Sequence, residues 1–97
     1  MEYAIVLSPE AKEDFLGLKA NSRALVRDAM EAHLRHEPGK VSKSRIKRLR
    51  GMSQPQYRLR VDEVRIFYDI TGGAVEVLAI VPKSSAGIWL ERKGVRS

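Results

Sequence analysis

Residues 57–70 read YRLRVDEVRIFYDI, and the alternation within them decides the fold. Tyr57, Leu59 and Val61 alternate with Arg58 and Arg60, and Val64, Ile66, Tyr68 and Ile70 alternate with Arg65, Phe67 and Asp69. A period of two is the mark of a strand with one buried and one wet face. Asp62-Glu63 separates the two runs and predicts a two-residue hairpin turn. In that register Val61 pairs with Val64, Arg60 with Arg65, Leu59 with Ile66 and Arg58 with Phe67. One face then carries Arg58, Arg60 and Arg65, their stems lying over apolar neighbours such as Phe67, Leu78 and Ile80. The opposite face carries Tyr57, Leu59, Val61, Val64, Ile66 and Tyr68 and has to be covered by other elements. Arg60 directly across from Arg65 costs roughly a few tenths of a kcal/mol or more. A bound anion would remove that cost.

Beyond this hairpin, Thr71-Gly72-Gly73 predicts another turn, and the β-branched run from Ala74 to Val81, closed by Pro82, completes a three-stranded meander. Upstream, Glu2 to Leu7 reads as a strand running into Ser8-Pro9, a helix cap followed by a first-turn proline. Ala11, Phe15 and Leu18 then mark one stripe of a helix of about three turns ending near Lys19. Asn21 and Ser22 offer the cap of a second helix, whose stripe from Leu25 to Leu34 runs up to Pro38-Gly39. Residues 40–50 have no clean period and read as a loop, or a loop with a short strand. Ser84 or Ser85 can cap a short C-terminal helix bearing Ile88, Trp89 and Leu90 and ended by Gly94. The expected fold is α+β: an N-terminal strand, a helical hairpin packed on an antiparallel meander sheet, and a short C-terminal helix, forming a single domain over residues 1–97.

The charge is concentrated. Of 97 residues, 18 are Lys or Arg and 12 are Asp or Glu, a formal net charge of +6. Residues 38–61 contain eight bases and no acid, and the rest of the chain holds ten bases against twelve acids, so this one segment supplies the whole excess. Such a field attracts polyanions. Cysteine is absent, which excludes disulfides and thiolate metal sites and fits a reducing cytoplasm. No apolar run approaches the roughly 18 residues needed to cross a bilayer, and MEYAIVLSPE carries an acid where an export signal carries bases. The expectation is therefore a cytoplasmic protein with no membrane partner. His33 and His36 are three apart on the second helix but have no third convergent ligand, so no metal or cofactor is expected. His33 belongs at the edge of the apolar stripe and His36 on the surface.

The run LRGMSQPQYRLRVDEVRIFYDI, Leu49 to Ile70, followed by a valine-rich strand, resembles the RelE branch of the RelE/ParE toxin superfamily of bacterial toxin–antitoxin modules. The order of strand, helical hairpin, basic loop, meander and C-terminal segment is similar along nearly the whole chain. The resemblance implies a metal-independent, ribosome-dependent endoribonuclease that cuts messenger RNA by attack of a ribose 2′-hydroxyl on the adjoining phosphate. It also implies an acidic cognate antitoxin that covers the arginine face. Arg58 and Arg60 match the two basic positions of the family's strand, Arg65 its phosphate-clamping arginine and Arg50 the arginine of LRG, with Lys47 and Arg48 as neighbouring RNA contacts. The first basic position usually holds lysine, and arginine is a poor proton acceptor. Beyond Val81, where the family places a further catalytic cation and a base-stacking aromatic, PKSSAGIWLER offers Lys83 and Trp89. These departures keep two alternatives open: a ParE-like inhibitor of DNA gyrase that cuts nothing, and an inactive relative that binds only an antitoxin or RNA.

Overall fold

The computed structural model describes residues 1–97 and contains β1 (Ala4–Leu7), α1 (Pro9–Leu16), α2 (Ala20–Leu34), β2 (Ile46–Arg48), β3 (Met52–Gln54), β4 (Tyr57–Val61), β5 (Val64–Thr71), β6 (Ala74–Pro82), α3 (Ala86–Lys93) and β7 (Val95–Arg96). The β4–β5 hairpin has the register that its alternation demands, from Tyr57 opposite Tyr68 to Val61 opposite Val64. Asp62 takes a positive φ of 53° at the turn, a conformation that short acidic side chains tolerate better than branched ones. The meander β4-β5-β6 is the centre of a larger sheet. Its order is β1-β6-β5-β4-β2, with β1 parallel to β6 and β2 antiparallel to β4, and β3 and β7 form a separate two-stranded ribbon. Residues 40–50 therefore do hold a short strand, β2.

The helical hairpin covers one face. Ala11 of α1 and Val26, Met30 and Leu34 of α2 pack on Leu59, Val61, Ile66, Tyr68, Val75, Val77 and Ile80. Tyr68 is wholly buried, stacks on Tyr57 with ring centroids 5.5 Å apart, and donates its hydroxyl proton to the Pro38 carbonyl at 2.6 Å. The helix boundaries differ from the sequence reading. The first helix stops at Leu16, with Gly17 as its C-cap, and the second begins at Ala20 with Lys19 as its N-cap, so Asn21 and Ser22 lie inside it. Lys19 has extended backbone and makes no side-chain cap bond, so backbone geometry alone starts α2.

β1 ends beside Val77, which would leave the Leu78 carbonyl and the Ile80 N–H without a ladder partner. The first turns of α1 supply both. Ser8 Oγ accepts from the Ala11 N–H at 3.0 Å as the helix cap and donates to the Leu78 carbonyl at 3.0 Å. Asp14 Oδ2 accepts from the Ile80 N–H at 3.0 Å. Burial pushes the Asp14 carboxyl above its usual range, against the pull of that hydrogen bond. The α1 cap is thus also the fastener that holds the helix to the sheet.

A bulge in the β5–β6 pairing corrects one expectation. Phe67 faces Ala79 but Tyr68 faces Val77, so Leu78 is the extra residue. Beyond it the two faces exchange: Ile80 joins the helix-covered core, and Ala79 and Val81 take the arginine face in place of Leu78 and Ile80.

His33 sits at the edge of the core near the C-terminal end of α2. Burial holds its imidazole below the ordinary range, and the charge of Arg45 adds to this. The unfolded chain therefore takes up this proton first as pH falls. Stability is expected to be full above the ordinary histidine pKa of about 6.5 and to decline as pH drops through the window beneath it. Thermal unfolding from pH 7.5 down to about 5 should show the decline in the parent chain and a shallower one in His33→Gln.

Candidate nucleic-acid interface

The face of the sheet away from the helical hairpin carries the arginines in two lateral rows. The β2–β4 and β4–β5 registers set Lys47, Arg58 and Phe67 side by side, and Arg60 stands directly opposite Arg65 in the next row. Arg58, Arg60 and Arg65 thus share a face, as their alternation requires. They are not equivalent there. Arg60 is exposed, whereas Arg65 is buried to 7% exposure and its Nη1 donates to the carbonyls of Asp62 and Val64 at 2.9 and 3.1 Å. Those two carbonyls give the Arg65 guanidinium polar partners in place of an acid. Arg58 lies between these extremes. Its Nε is buried and has no hydrogen-bond partner. Burial, then the charges of Arg65 and Arg60, press its guanidinium below the ordinary arginine range.

No carboxylate neutralises these side chains. The ion pairs of the protein are Arg27 with Asp28 and Arg35 with Glu31, both elsewhere. The one buried acid on this side, Asp69, is occupied by the 54–56 loop, accepting from Gln54 Nε2 at 2.8 Å and from the Gln56 N–H at 2.7 Å.

The arginine face is not fully open, contrary to the simple picture of a wet sheet surface. A second small core of Leu49, Met52, Phe67, Ala79 and Val81 lies on it, and α3 closes over this core with Ala86, Trp89 and Leu90. The Trp89 ring stacks on Phe67 at 5.0 Å and 6° interplanar angle, and its indole N–H donates to Glu10 Oε2 at 3.0 Å. One ring face of Trp89 is therefore spent on packing. Lys83 follows Pro82 in a 3₁₀ turn (Lys83–Ser85), its N–H donating to the Glu63 carbonyl at 2.7 Å, which places it at the hairpin-turn end of the face.

Lys47, Arg48 and Arg50 meet at a cleft of about 590 Å³ between the β2–β3 region and α3. Arg48 is already engaged: its Nη1 donates to the carbonyls of Leu49 and Gln56, and its guanidinium lies 5.4 Å from the Tyr57 ring centroid. The cleft also contains Arg96, which sequence reasoning missed. Its position depends on β7 pairing with β3, where Met52 faces Arg96. A two-residue strand has no periodic signal. The one readable trace is Gly94, where a Cβ would collide with Met52 Cε and the Leu90 carbonyl, so only glycine lets the chain turn back there.

The toxin–antitoxin complex RelBE2 of Mycobacterium tuberculosis contains a chain matched with a TM-score of 0.66 at 23% identity, over 84% of this chain and 99% of that one. The archaeal RelE–RelB complex of Pyrococcus horikoshii gives 0.70 at 19% identity over 86% and 97%. The chain has the RelE fold. A free E. coli RelE toxin carrying two arginine-to-alanine changes gives 0.70 at 17% identity over 96% of this chain and 99% of that one. No family model and no curated protein matches the sequence. Within the RelE fold, this chain's arginine triplet occupies the central hairpin, with α3 and the β3–β7 ribbon along one side.

Proposed function

We propose that this chain is the toxin of a type II toxin–antitoxin module, a cytoplasmic, metal-independent endoribonuclease that cuts messenger RNA on the ribosome. The observation that carries the reading is the convergence of Arg58, Arg60 and Arg65 with no carboxylate partner, Arg58 keeping a buried Nε unpaired. A protein that only had to fold would do better without that arrangement, and a phosphodiester supplies the counter-charge that no carboxylate provides. The RelE fold, seen in complexes with RelB antitoxins, supports an antitoxin partner for this chain too; the uncompensated arginines make an acidic segment the fitting cover for their face.

The chemistry needs a group to take the 2′-hydroxyl proton, a group to protonate the leaving oxygen, and positive charge for the extra negative charge between them. Guanidiniums suit the last role and not the first two. The two amines that flank the arginines, Lys47 in register with Arg58 and Lys83 at the hairpin-turn end, are assigned the proton transfers. Arg58, Arg60 and Arg65 hold the phosphate, and Arg50 extends the contact along the RNA. Trp89, with one ring face packed on Phe67, has the other to offer to a base.

The test is purified protein added to ribosomes carrying a defined message, with cut sites mapped by primer extension. Cleavage is expected, and Lys47→Arg should retain RNA binding while losing about 100-fold or more in rate. The replacement of the family's strand lysine by Arg58 favours a second reading, a ParE-like gyrase inhibitor. Intact message together with inhibited supercoiling would decide for that reading and against the first.

A further inference from the structure

We infer that a second cationic tract leads off the arginine face over the β2 edge of the sheet and holds the ribose-phosphate chain flanking the bound phosphodiester; this rests on the RNA reading proposed above. Arg45 is the bridge. It lines a cleft of about 260 Å³ with Ser44, Arg60 and Asp62, and also an adjoining cleft of about 280 Å³ with His33, Lys40 and Ser42. The two clefts therefore form one path from Arg60, around the outer strand, to the end of α2.

The turn that presents Arg45 is closed by its own hydrogen bonds. Ser42 Oγ accepts from the N–H groups of Arg45 and Ile46 at 3.1 and 3.2 Å, and the Ser42 N–H donates to the Ile46 carbonyl at 2.9 Å. The Arg45 carbonyl accepts from the Arg60 N–H at 2.9 Å, which ties the turn to β4 beside the triplet. Along the path stand Arg60, Arg45 and Lys40, with exposed Lys43 in the same turn and the acids Asp62 and Glu37 at the two ends. Neither acid forms an ion pair. His33 lines the second cleft with Arg45, and that charge adds to the burial that holds the imidazole below its ordinary range.

The lining chooses between polyanions. The first cleft has no apolar wall, and the second has only Ala32 and Ile46, the latter belonging to the core. Docking of an acidic protein relies on aromatic or aliphatic anchors in pockets, which this path lacks. A phosphate chain asks only for spaced cations.

The experiment compares the full chain with a Lys40→Gln/Arg45→Gln double variant, whose two sites are exposed and whose fold is checked by an unchanged thermal midpoint. Affinity for a fluorescent trinucleotide and for an oligouridylate of about ten nucleotides is measured over a range of salt. The variant should bind the long RNA about 5–20-fold more weakly, with a salt slope shallower by about 1.4, and bind the trinucleotide within about twofold of the parent. An unchanged long-RNA affinity and slope would overturn the tract and leave the arginine face standing. An equal loss of affinity for a polyglutamate peptide would assign the path to a protein instead. A parent chain that binds neither RNA would overturn the RNA reading itself.

Discussion

Arg58→Met is expected to make the protein more stable and to abolish most of its activity. The Arg58 side chain carries a buried Nε without a partner and a guanidinium depressed by burial and by Arg65 and Arg60. Methionine keeps the apolar stem over the sheet and removes both the unpaired polar group and the like-charge repulsion. The thermal midpoint should rise by about 2–5 °C, the size of a relieved functional strain of less than about 1 kcal/mol in a domain of this length. Cleavage of ribosome-bound message should fall by about 100-fold or more, the usual effect of removing one donor that meets the transition-state charge. Arg60→Met, at an exposed position, should lose activity without a comparable gain in midpoint. Melting curves and cleavage rates on the same preparations check both halves. A midpoint lowered by several degrees in Arg58→Met would mean that Arg58 supports the fold, and would remove the observation on which the phosphate-binding assignment rests.

The largest loss of stability is expected at Tyr68. It is wholly buried in β5, pairs with Tyr57 and Val77, and reaches out of the sheet to the Pro38 carbonyl at the end of the helical hairpin. Tyr68→Ala removes a large ring from a core that cannot collapse around it and should cost about 3–5 kcal/mol. A domain of this size holds roughly 5–15 kcal/mol in all, so the variant should melt at least about 12 °C lower. Tyr68→Phe separates packing from hydrogen bonding: it keeps the ring and leaves the carbonyl of buried Pro38 unpaired, at about 1–2 kcal/mol. Denaturant unfolding of the pair measures both. A Tyr68→Phe variant as stable as the parent would show that the contact to Pro38 contributes nothing net. Burial, with a smaller effect of Tyr57, also pushes the Tyr68 phenol well above the ordinary tyrosine range. The unfolded chain therefore loses this proton first, and stability should decline as pH rises above about 10.

The central hairpin was readable because its information is local. Strict alternation from Tyr57 to Ile70 and two polar turn residues leave a single register that buries Leu59, Ile66 and Tyr68 together, so Arg60 opposite Arg65 follows without any tertiary contact. Ser8-Pro9 and Gly94 likewise mark ends through backbone chemistry that depends on neighbours in the chain. Three features that shape the candidate site had no such signal. The extra residue Leu78 exchanges the faces of β6 because Ser8 and Asp14, about seventy residues away, take the hydrogen bonds that β1 leaves open. The stacking of Trp89 on Phe67 turns a wet sheet surface into a half-covered cleft, a choice between two exposed-looking residues that only packing makes. Lys47 and Arg96 reach the site on strands of three and two residues, too short for any period. By itself the sequence determined which arginines share a face. Which of them is buried, which binds its own turn and which amines stand beside them was decided by long-range pairing, because burial and charge spacing are properties of neighbours brought together in space.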